Sequence, residues 1–260
     1  MRYKVITTFK PGDWDKYAKR MVQSVLDKWP EVLITIYYQD TQPTLDDERI
    51  SWVDIDKANP DLHKFREKYK SDPVAMGKLN EIPGGVRRSP RLKTEGGKDA
   101  FKESYLWNAV KFSYKVSCVT HAVKTYKNYD YVIWIDDDTY TFRNIPMQFI
   151  ESICPNDTLV TYLGRENNKG SNKYPECGLV CYNIKHPLVQ NFINDWEKLY
   201  ISDEIFLCGS SIELTPVISI DKMKTSYSSQ GPVTKKLKKL YFSVVSGELD
   251  KYRGWLTSIY

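Results

Sequence analysis

No stretch of this chain approaches the roughly 20 consecutive apolar residues that a membrane-spanning helix needs. Cysteine is sparse and unpatterned. Cys118, Cys154, Cys177, Cys181 and Cys208 make an odd count with no CxxC pair, so neither a disulfide framework nor a zinc site is indicated. The spacing of Cys177 and Cys181 suits small hydrophobes in a strand better than metal ligands. The opening MRYKVITTF lacks the apolar block and small-residue cleavage site of a secretion signal, which predicts a cytoplasmic protein with no membrane partner. Internal repeats are also missing. What remains is ordinary globular composition: 260 residues, 41% hydrophobic and 27% charged, long enough to bury a core without staples. The formal net charge of +5 is a weak pointer to a polyanionic partner.

Hydrophobic spacing predicts the elements. Lys4 to Phe9 reads as a strand, and Pro11-Gly12-Asp13 as a turn. Trp14, Tyr17, Met21, Val25 and Trp29 recur at three- and four-residue intervals, which predicts an amphipathic helix over Trp14–Lys28, stopped by Pro30. Val32–Tyr38 and Ile50–Val53 read as further strands. Strand, helix, strand at this spacing predicts an α/β fold with a mostly parallel central sheet flanked by helices. A polar tract from Lys78 to Lys98 reads as loop. Phe101, Tyr105, Phe112, Val116, Val119 and Val123 then mark a long helix. Tyr131–Ile135 is apolar on both faces, as a central parallel strand requires. Leu159–Leu163 and Gly178–Tyr182 read as strands and Leu188–Tyr200 as a helix; the basic C-terminal forty residues resist assignment.

The strand Tyr131–Ile135 ends in three carboxylates, Asp136, Asp137 and Asp138. In open α/β sheets ligands bind beyond the carboxyl ends of the strands. Two carboxylates about 4 Å apart repel by roughly 4 kcal/mol at an effective dielectric of about 20. A chain tolerates that when a cation lies between them or one is protonated. Mg²⁺ and Mn²⁺ take carboxylate and phosphate oxygens together, so the triplet suggests a divalent ion bridging protein to a diphosphate. A solvated acidic turn is the plainer alternative. A phosphatase DxDx[TV] motif fits less well, because Tyr140 stands where Thr or Val is needed.

The segment KFSYKVSCVTHAVKTYKNYDYVIWIDDDTYTF resembles a bacterial and phage family of GT-A glycosyltransferases, in which a helix bearing F-S-x-K precedes a strand ending W-I-D-A-D-T. YPECGLVCYN is similar to that family's T-E-x-G-F-x-x-F-N, and GELDKYRG to its terminal D-H-x-K-G. The likeness runs from Arg2 to Gly254, strong in the middle and thin over Lys78–Lys98 and after Asp203. It implies a single GT-A domain over 1–260, with a nucleotide-sugar-binding half at 1–140 and an acceptor-side half at 141–260. It implies that Asp136 and Asp138 are the DxD ligands of metal and ribose or diphosphate, with Asp137 a bystander or a sugar contact. Thr7, Thr8 and Phe9 would seat the nucleotide. Lys115 would lie near it, or be a solvated helix lysine. Glu176 would bind the donor sugar or the acceptor hydroxyl, or be a surface carboxylate. Two departures stand out. Glu213 takes the place of the general base, within Ser210-Ser211-Ile212-Glu213 where relatives have E-W-H-D. Lys251 replaces a terminal histidine that binds metal, and a protonated ammonium cannot coordinate one. A Mn²⁺ or Mg²⁺ requirement is thereby put in question, while Lys251 gains the ability to neutralise a diphosphate directly.

The implied activity is sugar transfer from a nucleoside-diphosphate sugar, UDP-linked, to a hydroxyl, by an inverting or a retaining route. Two basic tracts bear on the acceptor: Arg87, Arg88, Arg91, Lys93, Lys98 and Lys102, and the acid-free stretch with Lys222, Lys224, Lys235, Lys236, Lys238 and Lys239. Such tracts suit a phosphate backbone. The resembled family includes phage enzymes that glucosylate or arabinosylate 5-hydroxymethylcytosine, so double-stranded DNA carrying that base is the acceptor it implies, flipped out or reached in the groove. A surface glycan or small molecule is the alternative acceptor, and a non-catalytic nucleic-acid-binding protein the alternative of another class.

Overall fold

The computed structural model describes residues 1–73, 75–76, 108–164, 175–209, 213–217, 219–220, 223–224 and 230–251. They fall into two compact units, Met1–Tyr69 with Val110–Tyr200, and Lys70–Ala109 with Ile201–Tyr260.

The first unit is built on a six-stranded sheet. Its strands are β1 (Tyr3–Thr8), β2 (Ile34–Tyr38), β3 (Ile50–Asp54), β4 (Tyr131–Ile135), β5 (Val160–Gly164) and β6 (Pro175–Asn183), in the order β3-β2-β1-β4-β6-β5. β3, β2, β1 and β4 run parallel, and β6 is antiparallel to both β4 and β5. The mostly parallel α/β sheet expected from the sequence is therefore present. The antiparallel β6 is a feature its apolar run did not reveal.

Helices cover both faces. On one, α1 (Lys19–Lys28) sets Met21, Val22 and Val25 against Val5, Ile34, Ile36, Ile133 and Ile135. On the other, α4 (Ala109–Thr125) sets Cys118, Val119, Ala122 and Val123 against Ile6, Tyr37, Val132 and Trp134, joined by Val189 and Ile193 of α6 (Val189–Ile201). Alternate residues of each strand serve opposite cores, which is why β1 and β4 read as unbroken apolar runs. Short helices α2 (Ile55–Ala58), α3 (Pro60–Tyr69) and α5 (Met147–Ile153) complete the unit. Cys118, Cys154 and Cys181 are buried free thiols; of the pair read as small hydrophobes in a strand, Cys181 is buried and Cys177 is exposed.

The helix expected over Trp14–Lys28 begins differently. Trp14–Ala18 forms a wide π-helical turn, with the Ala18 amide donating to the Asp13 carbonyl, and only then does α1 start. Such turns accommodate one extra residue and recur at functional sites. Gly12, at φ +82°, supplies the left-handed step that launches it.

The second unit contains the hairpin β7 (Ile205–Gly209) and β8 (Glu213–Val217), the short pair β9 (Ser219–Ile220) and β10 (Met223–Lys224), and α7 (Pro232–Val245). Glu204 caps α7: its carboxylate accepts from the amides of Val233 and Thr234 at 2.8 Å each and from the Thr234 hydroxyl at 2.7 Å. A carboxylate suits the positive end of a helix. Among the described residues no helix is long and apolar enough to cross a membrane.

Candidate active site

Four parallel strands end together at one edge of the sheet, and the site is assembled where β1 and β4 lie side by side. Thr7 and Thr8 close β1. The Thr7 hydroxyl, fully buried, donates to the Ile135 carbonyl at 2.8 Å, and the Thr8 hydroxyl donates to the Tyr37 carbonyl at 2.7 Å. Phe9 is buried against Trp14, ring centroids 5.1 Å apart. Of the three residues expected to seat a nucleotide, Thr7 and Phe9 are buried, and Thr8 is partly exposed with its hydroxyl tied to β2.

Asp136, the first residue beyond β4, is gripped from two sides. The Trp134 indole N–H donates to its Oδ1 at 2.5 Å, and the Lys115 ammonium stands 3.8 Å from the same oxygen. Trp134 and Asp136 are two apart on an extended chain, which puts them on one face. Lys115 reaches them from α4. Its Nζ donates to the Cys177 carbonyl at 2.6 Å and sits 4.7 Å from the Trp134 ring centroid. It is a fixed cation rather than a solvated one, only 16% exposed. The Asp136 amide donates to the Gly178 carbonyl at 2.9 Å, tying the turn to β6.

Asp137 is half-buried and its carboxyl is pushed up to about 6, by burial first and then by the charges of Asp138, Asp13 and Asp136. Asp138 is exposed. Asp13 and Tyr17 reach the same place from the π-helical turn. Tyr17 hydrogen-bonds Asp13, and its phenol is pushed well above its ordinary value by burial, by that bond and by Asp137. Lys16 holds Asp13 at 3.1 Å. Asp136 stands against Lys115 and Asp13 against Lys16, so the carboxylates of this group with no ion-pair partner among the described residues are Asp137 and Asp138.

The sequence reading missed Asp13, Tyr17 and Trp134. A signal existed for each: the loop after β1 opens on the same sheet edge as the loop after β4, and Trp134 shares a face with Asp136.

Glu176 lies on β6 opposite Leu163, beside the register shift between Tyr162 and Leu163. The remaining expected residues belong to the second unit or lie outside the described residues. Glu213 begins β8, paired with Gly209, in the second unit. Lys251, exposed, and Lys235 and Lys236, exposed on α7, belong to that unit too. Arg87, Arg88, Arg91 and Lys93 lie outside the described residues.

Among the described residues no group of three or more His, Cys, Asp or Glu side chains converges as a closed metal cage. Asp136 and Asp138 make a two-carboxylate donor set. Mg²⁺-type ions are characteristically held by one or two carboxylates with phosphate and water oxygens completing the shell. The residues therefore fit a divalent ion that arrives with a diphosphate better than one resident in the protein alone.

No protein-family model matches the chain. It is similar over 63 residues to a probable branched-chain-amino-acid aminotransferase of Aquifex aeolicus, at 44% identity, covering 24% of this chain and 20% of that protein. The branched-chain-amino-acid aminotransferase of Escherichia coli K12 matches over 63 residues at 38%, with the same shares. The chain thus spans about a fifth of the length of the curated relatives it matches. Among solved structures, the apo WbbM bifunctional glycosyltransferase superposes with a TM-score of 0.40 at 11% identity, covering 77% of this chain and 35% of that one. Mouse xyloside xylosyltransferase 1 superposes with a TM-score of 0.38 at 12% identity, covering 76% and 74%. Superpositions this loose carry no assignment of activity.

Proposed function

We propose that the first unit is a glycosyltransferase that takes a sugar from a nucleoside-diphosphate donor, UDP-linked, and passes it to a hydroxyl. One observation carries this reading: the sheet edge holds a fixed cation, Lys115, against Asp136, beside Asp137 and Asp138 whose charge is uncompensated. Breaking a sugar–phosphate bond builds negative charge on the departing diphosphate, and groups already fixed in place stabilise that charge without reorganising. Lys115 would supply that charge in this reading. Asp136 and Asp138 would hold a hard divalent ion, which supplies Lewis-acid neutralisation of the same oxygens. Asp137 and Asp13 offer hydrogen-bond acceptors to sugar hydroxyls, and Tyr17 keeps Asp13 oriented. Glu176 is the described candidate on β6 for the acceptor side.

The expected test is nucleotide release from a panel of sugar nucleotides, with Mn²⁺, with Mg²⁺ and with chelator. One or more donors should release nucleoside diphosphate, and Asp138→Asn or Lys115→Met should lower kcat/KM by at least about 100-fold, the scale of a lost charge-stabilising group. Wild-type rates in both variants at saturating donor would refute the site. DNA carrying 5-hydroxymethylcytosine stays among the acceptors through Arg87, Arg88, Arg91, Lys93, Lys235 and Lys236, and belongs in the same panel.

A further inference from the structure

Five residues beyond the carboxylates carry a feature that donor chemistry does not use. Thr139–Arg143 runs along α1 with its side chains alternating. Thr141 points in: its hydroxyl accepts from the Trp29 indole N–H at 3.0 Å, and its amide donates to the Ser24 hydroxyl at 3.1 Å. Trp29 and Ser24 are both buried, and a third tie follows where the Ile145 amide donates to the Lys28 carbonyl at 2.8 Å. The loop is therefore held in one conformation. Its other side chains point out: Tyr140 is 53% exposed and Phe142 71%. Each ring carries a guanidinium over it, Arg20 at 5.4 Å from the Tyr140 centroid and Arg143 at 5.2 Å from that of Phe142.

Two large rings held in water by a pinned loop have no part in the core, and their exposure costs the fold rather than helping it. An extended chain spans at most about 3.6 Å per residue, so Tyr140 lies within roughly 7 Å and Phe142 within roughly 14 Å of Asp138, Cα to Cα. That is the reach of an acceptor whose hydroxyl is at the carboxylates and whose body lies along the loop.

We propose that Tyr140 and Phe142, with Arg20 and Arg143, form an acceptor subsite for a neutral saccharide. This rests on the glycosyl-transfer reading of the same sheet edge. The negative face of an aromatic ring attracts the polarised C–H face of a sugar, and the guanidinium forks donate to its hydroxyls. Charge selects the class. Asp13, Asp136, Asp137 and Asp138 crowd the end from which the loop starts; Lys16 pairs with Asp13 and Lys115 with Asp136, Arg20 and Arg143 lie over the two rings, and Asp137 and Asp138 have no ion-pair partner among the described residues, so a further anion meets repulsion there. A donor diphosphate consumes whatever ion the carboxylates hold. A neutral polyhydroxyl chain adds no further charge, whereas a phosphate backbone adds one at every residue.

The experiment uses the full chain. Alkyl glycosides of glucose, galactose, N-acetylglucosamine and xylose, with their di- and trisaccharides, are tested for binding by saturation-transfer NMR and calorimetry. They are tested as acceptors beside a duplex containing 5-hydroxymethylcytosine. At least one saccharide should bind. Tyr140→Ala and Phe142→Ala should each raise its KM roughly 3–10-fold with kcat at saturating acceptor retained, and Phe142→Tyr should restore it. Both positions are exposed, so melting temperatures should match the wild type. Equal saccharide affinity in the alanine variants, no saccharide bound by the wild type, or transfer to the duplex alone would each overturn the subsite. Absence of any sugar-nucleotide turnover would instead overturn the glycosyl-transfer reading, and the NMR binding arm still decides the saccharide subsite on its own.

Discussion

At the scale of single residues, the site depends on how Asp136 is aimed. Its carboxylate is oriented by an indole N–H from a residue that is only 4% exposed, so in the proposed reaction Trp134 would act through Asp136, as a positioning residue. Replacing Trp134 by benzothienylalanine, which keeps the ring volume and loses the donor, should lower donor kcat/KM by roughly 10–100-fold, as losing an outer-shell partner does. Trp134→Phe should add a loss of thermal stability, because it also leaves a gap. An isosteric variant with wild-type kinetics would remove the role. Asp137 behaves in the opposite sense. Its folded pKa is raised from 3.8 to about 6, so its charge costs stability above about 6 and costs nothing below the ordinary carboxylate range. Stability should therefore fall as pH rises through 6. With chelator present, Asp137→Asn should melt higher than wild type at pH 8, by about 2–4 °C for each kcal/mol relieved, and equally at pH 3.5. Identical melting at pH 8 would show that the charge is already compensated. The triplet itself was legible in the sequence, since consecutive carboxylates after an apolar strand are conspicuous. Trp134 and Tyr17 carried only the weaker signal of their place at the sheet edge, because an aromatic at such spacing reads first as core.

At the scale of elements, the sequence predicted those whose pattern is local and periodic. β1, β2, β3 and β4 lie within two residues of expectation, and α6 within one. The π-helical turn was invisible, because Trp14 and Tyr17 keep a helical rhythm whether the turn closes with four residues or five. The direction of β6 was invisible as well, since a strand buried on both faces looks the same either way up. The long helix expected from Phe101 is observed from Ala109, and Phe101 and Tyr105 lie outside the described residues. In the second unit, Glu204 gives a test of local architecture. Its carboxylate satisfies two amides and a hydroxyl at the start of α7, so Glu204→Ala should speed hydrogen exchange at the Val233 and Thr234 amides, with no change in β4. Unaltered exchange at α7 would mean that Pro232 and packing alone fix the helix start.

At the scale of the whole molecule, each unit is made of two separate stretches of chain. The active-site residues proposed for the donor all belong to the first. A nucleoside diphosphate should thus add hydrogen-exchange protection within Met1–Tyr69 and Val110–Tyr200 and leave α7 unchanged, because a ligand stabilises what it binds by mass action. Protection spreading equally to α7 would contradict that assignment.

The sheet order has a consequence for biosynthesis. β1 lies between β2 and β4, and β4 begins at Tyr131, long after Thr8 has left the ribosome. At about 5–20 residues per second, the chain between them takes roughly 6–25 s to make. Through that interval a strand that ends up almost wholly buried has one edge capped by β2 and the other bare, a template for pairing with the wrong chain. The nascent protein's dependence on chaperones should therefore peak before residue 135 emerges and fall once β4 zips onto β1.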